Sequence, residues 1–184
     1  MQKLAIAVAA ACLWAGAAQA VEYTQVQPKD SKITFSYQQM GVDMQGVFKT
    51  FSGQLNFDPA APMQARAALE VDLSSVDVDD DEANDELATS TWFNTKAFPK
   101  AKFVSTSARA VASGQYEVSG LLTIKGKTQS VVVPARFTEQ GGKGVLEGLL
   151  TIQRGAFSIG EGAWKAFDIV ANDVVVNFRL AVAP

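Results

Sequence analysis

The chain has 184 residues, a net charge of −3, no histidine and a single cysteine. That length suits one domain, and the mild acidity argues against nucleic acid and against electrostatic docking on anionic lipid. Without histidine the commonest general base and the commonest metal ligand are both missing, which counts against an enzyme and against a metal site.

Residues 1–20 read as a secretory leader. Lys3 opens it, Leu4 to Gly16 is an apolar run, and Ala18-Gln19-Ala20 has the small-x-small form of a cleavage site. The expectation is a mature domain over residues 21–184 in the periplasm. Cys12 falls inside the leader, so the mature chain has no disulfide and no thiolate ligand, and holds itself by packing. Lipidation at Cys12 is disfavoured because the apolar run continues through Leu13 and Trp14.

Beyond the leader the chain alternates with period two. Ile33, Phe35 and Tyr37 face one way and Thr34 and Ser36 the other; Leu69, Val71 and Leu73 alternate with Glu70 and Asp72. The same pattern runs through Val118 to Ile124, Val131 to Ala135, Leu146 to Ile152 and Val174 to Leu180. Such runs are half-buried antiparallel strands. Turn residues separate them at Asp58-Pro59, Ser113-Gly114, Lys125-Gly126-Lys127 and Gly141-Gly142. One stretch differs: from about Asp80 to Thr91, Ala83, Leu87 and Ala88 recur at helical spacing behind a run of acids. Carboxylates there favour the positive end of a helix dipole. A calcium loop starting at Asp77 fails, since Glu82 stands where glycine is needed and Ala88 where glutamate is needed. The expected fold is an all-β antiparallel barrel of about eight strands with one helix packed over it.

Gly120 and Gly148 fall on inward phases of their strands. They either leave room for a ligand in the lumen or mark bends in the sheet. Ala156-Phe157-Ser158-Ile159-Gly160 has the outline of a nucleophile turn, but no histidine is available to take the serine proton. Gly126-Lys127-Thr128 has strand patterns on both sides and is a hairpin, not a phosphate loop. Polar residues at outward positions, among them Thr34, Arg66, Glu70, Asn177 and Arg179, argue against an outer-membrane barrel.

Four segments in order resemble the YceI-like polyisoprenoid-binding family. They are Ser31–Phe35 with Gly46–Gly53, then Trp92–Phe103, then Tyr116–Thr128 with its Gly-x-Leu-Thr-Ile-x-Gly hairpin, then Gln153–Gly160 with Arg-x-x-Phe-x-Ile-Gly. The resemblance spans about residues 22–182. It implies a lipocalin-like barrel with a lipid-filled lumen and isoprenoid chains, such as quinone tails, as ligands. Members often carry Asp-His-Leu in the helix, where this chain has Asp85-Glu86-Leu87.

The resulting expectation is a periplasmic binding or carrier protein, monomer or homodimer, for an isoprenoid lipid or quinone. It needs no cofactor, no metal and no catalysis. The alternative is an accessory to a membrane cytochrome in quinone-linked electron transfer. Phe35, Tyr37, Leu69, Val71 and Leu122 are expected to line the lumen by strand phase, and Phe48 by its place after Gly46. Trp92 and Phe93 should fold over the mouth from the helix end, with Phe157 and Trp164 on the opposite rim.

Overall fold

The structure, a computed structural model, describes residues 21–184; the expected leader and Cys12 lie outside the described residues. Eleven strands and one α-helix are found among the described residues. The strands are β1 (Tyr23–Val26), β2 (Lys32–Gln39), β3 (Val42–Phe48), β4 (Phe51–Phe57), β5 (Arg66–Asp72) and β6 (Val76–Asp77). After helix α1 (Asp81–Ala88) come β7 (Lys100–Ala112), β8 (Gln115–Ile124), β9 (Lys127–Gln140), β10 (Lys143–Gln153) and β11 (Asp173–Ala183).

All pairings are antiparallel, and the sheet closes when β1 pairs with both β4 and β11. Several segments are one barrel strand interrupted. A 3-10 turn at Pro28–Asp30 splits β1 from β2, yet both pair with β11. Lys49-Thr50 splits β3 from β4, and the turn Leu73–Ser75 splits β5 from β6. The result is a closed eight-stranded antiparallel barrel with one helix, as the period-two pattern implies. Eight strands give an interior that is either filled by side chains or holds one small ligand.

One end is solid. Tyr23, Phe57, Tyr116 and Phe137 meet edge to face at centroid distances of 5.0–5.2 Å. They pack with Ala65, Ala108 and Val182 and plug the barrel. The other end carries α1, the hairpin tips at Met40-Gly41 and Lys125-Gly126, and the segment 154–172. Asp80 caps α1 by accepting from the Ala83 N–H at 3.0 Å. The helix ends at Ala88, short of the expected Thr91. Thr89 turns both its N–H and its hydroxyl back onto the Glu86 carbonyl, at 3.0 and 2.7 Å.

The inward glycines do not leave open space. A Cβ on Gly120 would run into the Phe103 ring, and one on Gly148 into Phe178 and the Pro134 carbonyl. Gly46 lies under Phe35 in the same way. Each glycine admits an aromatic ring lying across the sheet from a neighbouring strand. The ring sits where a side chain would stand. A bulge between Ser105 and Ser107 on β7 flanks Gly120, so the sheet also bends there. The outer face is polar on β2, β5 and β11, while β7–β10 expose Val104, Leu121, Val132 and Leu149.

Candidate ligand-binding site

Between the aromatic plug and the mouth lies an apolar cavity of about 850 Å³, within the range of small-molecule sites. Its walls follow from strand phase. β2 turns Phe35 and Tyr37 inward, β3 Phe48, β5 Leu69 and Val71, and β8 Leu122. Trp92 and Phe93, just past α1, and Trp164, in the turn Gly162–Trp164, close the mouth. Tyr37, Phe48, Leu69, Val71, Phe93, Leu122 and Trp164 are only half-buried. Residues that point into a closed barrel and still carry accessible surface border unfilled space.

The rings form a connected wall. Phe35 stacks on Tyr37 at 6.0 Å and meets Phe48 at 5.2 Å; Phe48 meets Phe93 at 6.1 Å. Trp92 tilts against Trp164 at 5.6 Å. Burial pushes the phenol pKa values of Tyr37 and Tyr116 up, so both hydroxyls stay neutral.

Phe157 differs from expectation. It does not line the cavity but sits 2% exposed in a packed cluster with Ile124, Ile152 and Ile159. The 3-10 turn Arg154–Phe157 breaks the alternation that carries Ile152 and Arg154 to the lumen.

Arg154 organises the rim. It is 2% exposed, and its guanidinium donates to six backbone carbonyls: Ala171 from Nε, Ile159 and Gly160 from Nη1, and Trp164, Ala166 and Val170 from Nη2. These distances run from 2.7 to 3.2 Å. The cation lies 5.0 Å from the Phe167 ring and 5.7 Å from the Trp92 ring. Desolvation lowers its pKa from the ordinary arginine value, while the carbonyl oxygens satisfy the buried charge. Its donors are spent on the chain itself, which makes it a positioning residue for the segment 154–171.

That segment is fastened to its neighbours. The Trp164 indole N–H donates to Glu86 Oε1 at 2.9 Å, and the N–H groups of Gly160 and Glu161 donate to the Thr91 carbonyl. Lys125 Nζ donates to the Ser158 carbonyl at 2.6 Å and to Glu161 at 3.0 Å. The Glu161 carboxyl is held below its usual value by this lysine. Ser158 itself accepts from Lys127 Nζ at 2.5 Å, so the serine of the nucleophile-like turn sits against an ammonium donor rather than a base. Of the acidic run, Asp80 caps the helix and Asp77 pairs with Lys49 and accepts from Asn84.

Residues 24–182 match the model of the YceI-like domain. The chain belongs to the YceI-like family. The crystal structure of Burkholderia cenocepacia BcnA is similar to it, with 39% identity and a TM-score of 0.84 over 85% of this chain and 99% of that one. A polyisoprenoid binding domain from Saccharophagus degradans shares the fold at 18% identity, with a TM-score of 0.70 over 89% and 99% of the two chains. A UPF0312 protein of Ectopseudomonas mendocina is 29% identical over 75% of this chain and 73% of its own.

Two rim residues escaped the sequence reading of this YceI-like chain. Arg154 continues the inward phase of Leu150 and Ile152, and a charged residue on that phase was the available signal. The second is Glu86, on α1. Here its carboxylate is occupied by Trp164 and, at 3.3 Å, by the Thr91 hydroxyl.

Proposed function

We propose that this YceI-like protein is a periplasmic carrier that holds a long apolar isoprenoid-type lipid, a polyprenyl or quinone tail, inside its barrel without acting chemically on it. The observation that carries this reading is the apolar cavity with half-exposed inward residues. A tail withdrawn into it gains on the order of 25 cal/mol per Å² of apolar surface removed from water. Such a gain requires no reacting group. The description of the Saccharophagus domain as polyisoprenoid binding supports the ligand class, and the leader-like residues 1–20 support the compartment.

The test is to fill the lumen from within. Val118 lines the cavity and is half-buried. Val118→Phe is expected to abolish uptake of geranylgeraniol by delipidated protein with little change in melting temperature. A variant that still takes up the prenol in full, or that loses several kcal/mol as an overpacked core does, would count against a ligand-holding lumen.

A further inference from the structure

The segment 154–171 is bolted at the mouth to the β2–β3 hairpin, to the β8–β9 hairpin and to the α1 end. Between β2 and the segment 154–171, Met40 N–H donates to the Ile169 carbonyl at 2.7 Å and Ala171 N–H to the Gln38 carbonyl at 2.9 Å. Lys125 fastens the β8–β9 hairpin to the same segment, and Trp164–Glu86 with the two bonds to Thr91 fasten it to α1. The remaining seam runs between β3 and α1. β3 pairs with β6 only at Val47↔Asp77 and Phe48↔Val76, and from Val42 to Gly46 its outer edge has no strand partner.

The inner face of β3 makes this seam an apolar track. Gly46, Met44 and Val42 stand directly opposite Phe35, Tyr37 and Gln39, which all line the cavity, so the two rows share a face. The row leaves the cavity at Phe48, crosses Met44 and reaches solvent at Val42, 60% exposed, with Met40, 71% exposed, at the tip. Across the seam α1 contributes Ala83 and Leu87 to the same wall, together with the carboxylate residues Glu82, Asp85 and Glu86. At the inner end of the seam Phe48 rests against Phe93, and the Lys49–Asp77 ion pair ties the base.

We infer that the apolar tail enters and leaves the barrel sideways, through the seam between β3 and α1, with Met40 and Val42 as its outer lip. This rests on the carrier reading above. No direct hydrogen bond joins β3 to α1 across this seam. Phe93 has to swing off Phe48 as α1 tilts, while the Asn84–Asp77–Lys49 links hold the base of the seam. The seams that flank the segment 154–171 would each have to give up two or more hydrogen bonds, with desolvated partners left behind.

The test uses stopped-flow exchange of dansyl-labelled geranylgeraniol, with Trp92 and Trp164 as energy donors. In protein made as residues 21–184, which hold no native cysteine, Met44→Cys with Ala83→Cys is bridged by a short bismaleimide. Bridging is expected to slow entry and exit by on the order of a hundredfold, with probe loaded beforehand trapped. A bridge between Thr89→Cys and Ala163→Cys, across the bolted seam, is expected to leave both rates within about twofold. The reverse pattern, or no effect of the first bridge, overturns the portal. Val42→Asp provides a second reading without cross-linking, because this side chain is mostly exposed. It is expected to slow entry and exit about tenfold with equal affinity and melting temperature; unchanged rates count against the portal. If unbridged protein takes up no probe at equilibrium, the carrier reading fails and the portal falls with it. Uptake with unaltered exchange sinks the portal alone.

Discussion

Trp164 donates its indole N–H to Glu86 at 2.9 Å, joining the rim segment to α1 across 78 residues of sequence. This bond supports the closed mouth from one side. Glu86→Gln keeps an acceptor and should leave stability nearly unchanged. Trp164→Phe removes the donor and should cost about 1–2 kcal/mol in a urea melt. Hydrogen exchange should show the loss concentrated in α1 and residues 158–164.

Arg154 should be far less tolerant. Arg154→Met keeps much of the bulk but leaves six carbonyls without their donor, an expected loss of at least about 3 kcal/mol. Arg154→Lys has three donors in a compact head and should recover only part of it. Gly160→Ala strikes the same group from the other side. Gly160 has φ +75°, and a Cβ there would run into Arg154 Nη1, so it should destabilise the rim as well.

Gly120→Ala should also destabilise, by about 1–3 kcal/mol, because Phe103 and the Val104 carbonyl occupy the space over that glycine. A double-mutant cycle with Phe103→Leu should recover part of the loss. Additive effects would mean that the ring does not cover the glycine.

Asp77 gives the acid limb a specific contributor. The Lys49 ammonium, then the Asn84 amide and the Asp79 N–H, pull its carboxyl down to about 2, against about 3.9 for an unfolded aspartate. The folded chain therefore binds fewer protons than the unfolded chain between those values. The stabilisation is fully present above about pH 4 and is lost as pH falls toward 2. Asp77→Asn should flatten that part of the urea-midpoint profile. Glu70, pulled to about 2 by Lys100 and Lys102, keeps the rest of the slope. Raised salt should shrink both, since the pairs are solvent-accessible.

Strand phase made most of the barrel legible, because a two-residue period with one apolar face has one way to bury itself. Phe35, Tyr37, Leu69, Val71 and Leu122 reach the cavity wall for that reason. Phase says nothing where the backbone leaves the strand: Phe157 is expected on the rim from its irregular segment, and the 3-10 turn Arg154–Phe157 buries it instead. For the inward glycines, which leave ligand room and sheet bends as alternatives, the structure shows a bend at Gly120 and no open space. An inward glycine in sequence looks like space, but the occupant comes from the neighbouring strand, and a single sequence does not reveal which ring crosses over. The inward phase marks Arg154 itself, but its six partners are opaque, since they are backbone carbonyls, which every residue possesses and no side-chain pattern marks.

Whether the barrel encloses a long apolar lipid is decided by what travels with the protein. Native mass spectrometry of protein purified without detergent from its own cells tests it most directly, followed by organic extraction of the bound material. A carrier yields a bound species whose extracted mass and fragments identify a polyprenyl chain, and that species is absent from the Val118→Phe variant. Ligand-free protein that also takes up no prenol after incubation would contradict it.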